Sequence, residues 1–315
     1  MTTVFVTGTT GFVGRAVLPQ ILKCLKPEDR LYLLVRKPVE SSDKRVVAVV
    51  GELTSLENVA GIVRQADFII HIGAEARLSG GHDHSGVNVV ATRQLVAFAK
   101  ESPCIQRFIY ISSIAAMDRS PSDRCAGPIT IASPCCPRTE YGRSKLLAEE
   151  EVLQSQVPYT IFRPGFVYGS GMREDSHLRK FACLIRKGIP LHRFGFPGKI
   201  SLIHVDDLAA AIAGCLTGNR GMNCTYLAET ESMPLGDALS LLGKSLYGRQ
   251  LLQVPVPSMK GVFGKLHPLL PVIVAGMLLD YLWMDDPEFR DEFIAGGQQR
   301  LLRDNVCDIN KGLSD

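Results

Sequence analysis

Short apolar runs alternate, along the first two thirds of the chain, with longer segments whose apolar residues recur at helical spacing. The runs predict six strands, over residues 3–8, 30–36, 44–53, 66–74, 106–114 and 159–169. The periodic segments predict helices over residues 14–25, 87–102 and 140–156. Strands this apolar, separated by helices, are typical of a parallel sheet that is covered on both faces. The pattern therefore predicts the α/β fold class, with a doubly wound parallel sheet.

The pattern changes after about residue 169, where the loops lengthen and proline and glycine cluster. This change predicts a first domain over residues 1–168 and a smaller carboxy-terminal region over 169–315, packed on the carboxyl edge of the sheet. The segment 197–217 has the pattern of a late strand and helix, and we expect it to return to the first domain.

The bulk composition excludes some classes of partner. Of the 315 residues, 46% are hydrophobic and the formal net charge is only +3, so no strong basic field favours nucleic acid or an anionic membrane. The nine cysteines contain no CxxC pair, and we expect free, buried thiols in a reduced, cytoplasmic setting. A loop at 80–86 carries His82, Asp83 and His84. Because neighbouring residues on a loop rarely converge on one ion, we expect a solvated loop and no metal site.

Three glycines stand where the first predicted strand meets the first helix, in "VTGTTGFVG". Gly8 permits a tight turn, Gly11 lets the backbone approach a diphosphate at the helix amino end, and Gly14 lets the helix pack close to the sheet. The spacing is GxxGxxG rather than GxGxxG, and a purely structural turn is the alternative. The position of the motif favours a dinucleotide site of the Rossmann type. The cofactor-binding residues expected here are Thr7, Gly8, Gly11, Phe12, Val13 and Gly14.

The end of the second strand bears on the choice of cofactor. An acidic residue there would accept hydrogen bonds from an adenosine ribose and favour NAD(H). The chain instead has Arg36 and Lys37, and cations suit a 2′-phosphate. This favours NADP(H), with NAD(H) as the alternative.

Candidate acid–base chemistry lies in "YGRSK", where Tyr141 and Lys145 are one helical turn apart. A free phenol has a pKa of about 10, and a neighbouring ammonium lowers it by stabilising the phenolate. Tyr141 can then exchange a proton with a substrate oxygen while a hydride moves. An ordinary pair on a surface helix is the alternative for an isolated YxxxK motif.

Two serines, Ser112 and Ser113, lie at the carboxyl end of the predicted strand 106–114. Ligands bind at that end in an open α/β sheet. A serine hydroxyl there can donate a hydrogen bond to a reacting carbonyl and stabilise the charge that develops on it. A strand-end cap is the alternative role for either serine.

Together these features resemble the extended short-chain dehydrogenase/reductase family, over roughly residues 3 to 230. The residues that carry the resemblance are Gly8, Gly11, Gly14, "IIHIGA" at 69–74, Asn88, Ser113, Tyr141, Lys145, "FRPGFVYG" at 162–169 and "HVDDLA" at 204–209. The resemblance implies that Ser113, Tyr141 and Lys145 are catalytic and that Lys145 also binds the nicotinamide ribose. It further implies cofactor contacts from Ile72, Gly73, Ala74, Asn88, Pro164 and Gly165. Where the family usually reads "GDL", with the acid near the adenine, this chain has Gly51, Glu52 and Leu53, so that Glu52 takes the place of the aspartate.

Departures from the family's patterns narrow the substrate class. Ile114 and Ala115 stand where sugar-nucleotide dehydratases carry an Asp-Glu pair, and Ile200 replaces an arginine that grips the diphosphate of a nucleotide sugar. The remaining resemblance is to dihydroflavonol reductases and hydroxysteroid dehydrogenases, and "LVRKP" and "HIGAEARLSG" are also similar to reductases of acyl thioesters.

The resulting hypothesis is an NADP(H)-dependent enzyme that transfers a hydride to or from a carbonyl or alcohol carbon of a hydrophobic small molecule. An NAD-dependent sugar-nucleotide epimerase and a non-catalytic NAD(P)-binding subunit or redox sensor are the alternatives. The smaller region 169–315 would bind the substrate, and the family resemblance implies a homodimer.

No signal peptide is predicted, because a strand-like run begins at Thr3 with no basic segment before it. The apolar stretch 266–284 contains His267, two prolines and Asp280. Its uncharged part is shorter than the roughly 20 residues that cross a bilayer. We expect a buried or substrate-facing helix there, with membrane contact as the alternative.

Overall fold

A computed structural model describes residues 1–76, 83–118, 127–249, 252–256, 283–294 and 299–311. The chain divides into two compact units. The first comprises Met1–Met117, Pro137–Arg163 and Leu208–Tyr226, and the second comprises Asp118–Cys136, Pro164–Asp207 and Leu227–Asp315. The domain division expected from the sequence, at residue 168, stays a prediction.

The elements follow one another as a strand–helix alternation that gives way to shorter pieces. The strands are β1 (Thr3–Thr7), β2 (Arg30–Val35), β3 (Val46–Val50), β4 (Phe68–His71), β5 (Arg107–Ile111), β6 (Tyr159–Pro164), β7 (Phe166–Tyr168), β8 (Phe194–Gly195), β9 (Lys199–His204), β10 (Cys224–Ala228), β11 (Glu231–Pro234) and β12 (Val254–Pro255). The helices are α1 (Phe12–Cys24), α2 (Ala60–Val63), α3 (Val90–Lys100), α4 (Glu140–Leu153), α5 (His177–Arg186), α6 (Val205–Gly214) and α7 (Leu235–Tyr247), and short helical segments follow at Pro287–Phe289, Leu302–Asn305 and Cys307–Asn310. Single 3₁₀ or π turns lie at Glu57–Val59, Ser85–Val89, Ile114–Met117, Leu191–Arg193 and Arg290–Ile294.

The main sheet has seven strands in the order β10-β6-β5-β4-β1-β2-β3. Six of these strands, β6, β5, β4, β1, β2 and β3, pair in parallel. The register places Thr7 at the end of β1 opposite Leu34 of β2 and His71 of β4, and it places His71 opposite Tyr110 of β5. In a parallel sheet this register brings the carboxyl ends of the strands to one edge. The glycine-rich turn after β1 and the two serines after β5 therefore share that edge.

One side of the sheet is sealed by a continuous apolar core. Alternate residues of four neighbouring strands, Phe5, Ile69, Phe108 and Ile161, belong to one buried cluster with the inner faces of α2, α3 and α4. Because side chains alternate along a strand, the intervening residues of the same strands point to the opposite face. Those residues are buried as well, so the sheet is covered on both faces. The predicted doubly wound α/β fold is confirmed.

The run 159–169, predicted as one strand, is divided in the structure. β6 belongs to the seven-stranded sheet, whereas β7 pairs in parallel with β9 in a three-stranded sheet completed by antiparallel β11. Gly165 separates them, and a Cβ atom there would lie 2.5 Å from the carbonyl oxygen of Ser201. This close approach of two backbones requires a residue without a side chain.

In the second unit, the motif "HVDDLA" holds a late segment of the chain. The carboxylate of Asp207 accepts hydrogen bonds from the backbone N–H of Arg300 (2.9 Å) and from its guanidinium (2.7 Å). The hydroxyl of Tyr168 donates to the carbonyl oxygen of Arg300 at 2.9 Å, and Nε2 of His204 lies 3.3 Å from a carboxylate oxygen of Asp308. Residues 299–311 are thus bound through polar contacts with β7, β9 and α6.

Two further expectations concern the state of the cysteines and the apolar stretch 266–284. The cysteines among the described residues form no disulfide, but only Cys215 is buried, so the expectation of buried thiols is wrong for most of them. Over the part of the chain that is described, no helix has the length and apolar content needed to cross a bilayer. The predicted helix within 266–284 lies, apart from its last two residues, outside the described residues.

Candidate active site

The glycine-rich turn after β1 is compact because its glycines touch backbone. Gly8 has a φ of +80°, and a Cβ atom there would lie 2.5 Å from the backbone nitrogen of Gly73. A Cβ atom at Gly14 would lie 2.1 Å from the carbonyl oxygen of Gly8. The N–H of Gly11 donates to the same carbonyl at 3.0 Å. The first two glycines of the motif thus make a tight turn, and the third lets α1 approach it.

The amino end of α1 has the features of an anion site. Gly11 is the N-cap, no side chain caps the helix, and its first turn contains no acidic residue. The first backbone N–H groups of a helix have no partner within it and carry partial positive charge. Next to them, the hydroxyl of Thr9 is buried and has no hydrogen-bond partner among the described residues. These features fit the diphosphate of a dinucleotide. Phe12 and Val13 are half-buried in the first turn.

The side chain of Thr7 joins β1 to the end of β4. Its oxygen accepts a hydrogen bond from the N–H of Gly73 at 3.1 Å and lies 2.7 Å from Nδ1 of His71. Burial, with a smaller contribution from the charge of Lys145, lowers the pKa of His71 to about 3. The imidazole is therefore neutral, and it shares one hydrogen bond with the hydroxyl of Thr7. This contact fixes the segment containing Ile72, Gly73 and Ala74 against the glycine-rich turn.

The residues expected near the adenosine follow β2 and β3. Arg36 and Lys37 are exposed immediately after β2. The chain after β3 is held beside them, because the N–H of Gly51 donates to the carbonyl oxygen of Val35 at 2.9 Å. Glu52 is exposed, and Leu53 lies close to Gly73, with its Cδ1 3.1 Å from the place that a Cβ of Gly73 would take.

Lys145 is the most constrained of the expected catalytic residues. It is buried, and its ammonium donates to the carbonyl oxygen of Ile111 at 2.7 Å and lies 4.8 Å from the centroid of the Tyr110 ring. Burial lowers the pKa of Lys145 to about 7, although the carboxylate of Glu149 acts in the opposite direction. The amine is thus attached to the end of the strand that carries the two serines.

Tyr141 and Ser113 lie on two segments that touch. Tyr141 is half-buried in the first turn of α4, one turn before Lys145. A Cβ at the next residue, Gly142, would lie 2.2 Å from the carbonyl oxygen of Ala115, in the turn that follows Ser113. Ser113 accepts a hydrogen bond from the N–H of Ala115 at 3.2 Å, so it also has the capping role considered as its alternative. Its neighbour Ser112 is buried, with no partner for its hydroxyl among the described residues.

Asn88 is buried and uses its side-chain amide for three hydrogen bonds. Its oxygen accepts from the N–H of Glu75 at 2.7 Å, and its nitrogen donates to the carbonyl of Glu75 at 3.1 Å and to the hydroxyl of Ser144 at 2.9 Å. Ser144 in turn donates to the carbonyl oxygen of Tyr141 at 2.8 Å. Asn88 therefore links the chain after β4 to the first turn of α4.

One contact beside the candidate site was missed at the sequence level, the buried ion pair of Glu149 and Arg163. The guanidinium contacts both carboxylate oxygens at 2.6 to 3.1 Å. The signal that points to Glu149 is its spacing, four residues after Lys145 on the same helix face. Pro164 and Gly165 belong to the second unit, where the N–H of Gly165 donates to Ala228 at 3.2 Å.

The chain belongs to the NAD dependent epimerase/dehydratase family, whose model matches residues 4–224. This confirms the resemblance to the extended short-chain dehydrogenases/reductases.

The chain is similar in sequence to a hybrid synthetase, a ketoreductase and a hydroxysteroid dehydrogenase. The chain is 28% identical over 235 residues to the PKS-NRPS hybrid synthetase cheA of Chaetomium globosum, an alignment that covers 66% of this chain and 5% of that protein. It is 26% identical over 249 residues to the ketoreductase sphI of Aspergillus fumigatus, covering 66% of this chain and 73% of that protein. It is 31% identical over 181 residues to the 3-beta-hydroxysteroid dehydrogenase of Mycolicibacterium neoaurum, an alignment that covers 53% of this chain and 48% of that protein. The chain thus spans only a small part of the synthetase.

Among solved structures, the fold is similar to that of the UDP-glucuronic acid 4-epimerase of Bacillus cereus in complex with UDP-glucuronic acid and NAD. The TM-score is 0.74 at 17% identity, and the alignment covers 98% of both chains. At this identity the likeness concerns the fold alone.

Proposed function

We propose that the protein is an NADP(H)-dependent oxidoreductase that transfers a hydride between the nicotinamide and a carbonyl or alcohol carbon of a hydrophobic small molecule. The observation that carries the proposal is the buried ammonium of Lys145, held on the end of β5 one helical turn from Tyr141. Among the described residues no carboxylate forms an ion pair with this ammonium, and a buried lysine without such a partner is costly for folding. Such an arrangement is typical of sites where a charge serves chemistry.

Each of the three residues has a distinct task in this proposal. The phenol of Tyr141 gives a proton to the carbonyl oxygen in reduction and takes it back in oxidation. The charge of Lys145 favours the phenolate over the neutral phenol. Ser113 donates a hydrogen bond to the same substrate oxygen and stabilises the charge that develops on it. The bound coenzyme supplies or accepts the hydride.

The preference for NADP(H) is supported by the exposed cations Arg36 and Lys37 after β2. A guanidinium can bind a 2′-phosphate through two parallel hydrogen bonds. Glu52 is exposed just after the neighbouring strand β3, and its negative charge would repel a 2′-phosphate placed beside it. The proposed binding place of the 2′-phosphate is therefore beside Arg36 and Lys37.

The hydrophobic substrate class is supported by what replaces the polar contacts for a nucleotide sugar. Ile200 is buried in β9 where an arginine would grip a diphosphate. Among the relatives, one is named a ketoreductase and another a 3-beta-hydroxysteroid dehydrogenase. We also propose a cytoplasmic location, supported by the absence of disulfides among the described cysteines.

The test compares wild-type protein with Tyr141→Phe for oxidation of NADPH and of NADH against ketones, aldehydes and acyl thioesters. Tyr141→Phe should lower turnover roughly 10²- to 10⁴-fold with NADPH, because it removes the proton donor. Tyr247→Phe, at the end of α7 in the second unit, is the matched control and should keep wild-type turnover. Near-normal turnover by Tyr141→Phe would refute the proposal. Retained NAD in the purified protein, with epimerisation of a nucleotide sugar and no net NADPH oxidation, would refute it in favour of an epimerase.

A further inference from the structure

His84 begins the turn that leads into α3, and its imidazole is hydrogen-bonded on one side. Its Nδ1 lies 3.1 Å from the carbonyl oxygen of Glu75. Because a carbonyl oxygen only accepts, Nδ1 must carry the proton. This bond fixes the plane of the imidazole relative to the chain that follows β4.

The other side of His84 meets the aromatic ring of Tyr141. The two ring centroids are 5.9 Å apart and the planes form an angle of 69°. This is the edge-to-face arrangement that aromatic pairs prefer, within the usual range of about 4.5–7 Å between centroids. The contact restricts how the phenol can tilt about the bond to its backbone.

A second chain of contacts reaches the backbone of Tyr141 from the same starting point. Asn88 binds both the N–H and the carbonyl oxygen of Glu75. It also donates to the hydroxyl of Ser144, which in turn donates to the carbonyl oxygen of Tyr141. The main chain of Glu75 is therefore the common anchor of two connections. One of them ends on the backbone of Tyr141 and the other on its ring.

We propose that His84 is a positioning residue for Tyr141, which holds the phenol in the orientation that proton transfer requires while Asn88 and Ser144 hold its backbone. This rests on the proposed function, since it gives Tyr141 its catalytic role. The sequence predicted that His84 lies in a solvated loop. Its contacts with Glu75 and with the ring of Tyr141 instead favour a role in orienting the phenol. Small displacements of a reacting group cost large factors in rate, so a side chain that only orients Tyr141 can affect turnover.

The test uses the full chain labelled with fluorotyrosine and observed by ¹⁹F NMR. The resonance that Tyr141→Phe removes belongs to Tyr141. His84→Ala removes both contacts, His84→Phe keeps a ring without the Nδ1 donor, and His84→Asn keeps a donor without the ring.

We expect the Tyr141 resonance to shift in the Ala and Asn variants, because the neighbouring ring that shields it is lost, and to stay nearer its wild-type position in the Phe variant. His177→Ala is the control, because His177 makes the same kind of contact with Phe166 in the second unit, at 5.9 Å and 74°; it should leave the resonance unchanged.

Kinetics supply the second measurement. His84→Ala should lower kcat roughly 3- to 10-fold, with the KM for NADPH changed less than about twofold, because the lost interaction acts at the proton-transfer step. In a Tyr141→Phe background the same substitution should have no further effect on kcat. An unchanged Tyr141 resonance in both His84→Ala and His84→Asn would overturn the proposal, as would an undiminished effect in the Tyr141→Phe background. If no carbonyl compound is turned over, the proposed function fails, whereas the resonance measurement still decides whether His84 orients the ring of Tyr141.

Discussion

The ammonium of Lys145 donates a hydrogen bond to the carbonyl oxygen of Ile111 at 2.7 Å. Ile111 is the last residue of β5, and Ser112 and Ser113 follow it directly. A helix residue is thereby tied to the strand end that carries the serine of the candidate site. Burial of the amine lowers the pKa of Lys145 to about 7. The hydrogen bond to Ile111 offsets part of the free-energy cost of that burial.

The depressed pKa of Lys145 predicts how stability depends on pH. Between pH 7 and the ordinary lysine range, the unfolded chain holds a proton that the folded chain has lost, so the free energy of unfolding rises with pH. Relative to Lys145→Met, wild-type protein should gain about 1.4 kcal/mol per pH unit from pH 7.5 to 9.5. Below about pH 6 the difference between the two should be constant, since Lys145 is charged in both states. Urea unfolding at a series of pH values measures this.

Lys100, exposed in the last turn of α3, provides the control for that measurement. The difference between wild type and Lys100→Met should be flat across the same range. A flat difference for Lys145→Met as well would show that the folded chain keeps Lys145 charged to high pH, contrary to the prediction.

The glycine-rich turn predicts a contrast between two glycine substitutions. Gly14→Ala would place a Cβ atom 2.1 Å from the carbonyl oxygen of Gly8, so α1 must move away from the turn. We expect a loss of about 1–3 kcal/mol in the free energy of unfolding and a large loss of NADPH affinity. Gly61→Ala, in α2, meets nothing within 4 Å, and should be neutral or stabilising by up to about 1 kcal/mol. Thermal unfolding and NADPH fluorescence titration measure both effects; wild-type NADPH affinity in Gly14→Ala would contradict the assignment of the turn.

The features that the sequence predicted are those with local causes. The glycine turn follows from residues within one strand–helix junction, and the pairing of Tyr141 with Lys145 follows from a single helix. Apolar runs located β1, β2, β4, β5 and β6 because these strands are buried on both faces. The edge strand β3 was found although it is partly exposed, and the edge strand β10 was not predicted. Glu149 could have been found by the same reasoning, since it lies four residues beyond Lys145.

The features that were missed depend on contacts between distant parts of the chain. The bond from Lys145 to Ile111 requires the placement of α4 over β5, which no local pattern defines. The division of the run 159–169 at Gly165 depends on the approach of Ser201, 36 positions later in the sequence. His84 was interpreted from its neighbours in a polar loop, whereas its contacts are with Glu75 and Tyr141.

The cations after β2 predict a change of coenzyme preference by charge reversal. Arg36→Glu should raise the KM for NADPH roughly ten- to hundredfold, because a charge-assisted hydrogen bond is replaced by repulsion from the 2′-phosphate. The KM for NADH should change far less, because NADH lacks that phosphate. Lys44→Glu, an exposed charge reversal just before β3 and so at the opposite edge of the sheet, is the matched control for net charge. Equal losses with NADPH and NADH in Arg36→Glu would contradict the proposed phosphate site.

The two adjacent aspartates of "HVDDLA" predict opposite outcomes for the same chemical change. Asp207 is buried and accepts hydrogen bonds from the backbone and guanidinium of Arg300, whereas Asp206 is 41% exposed and lies 3.6 Å from that guanidinium. Both are in the first turn of α6, so the influence of the helix dipole cancels in the comparison. Asp207→Asn should cost about 1–3 kcal/mol, because an amide cannot accept both bonds in the same way, and should speed hydrogen exchange at the Arg300 amide. Asp206→Asn should cost less than about 1 kcal/mol. Chemical denaturation and amide exchange separate the two, and equal effects would mean that the buried aspartate does not hold residues 299–311.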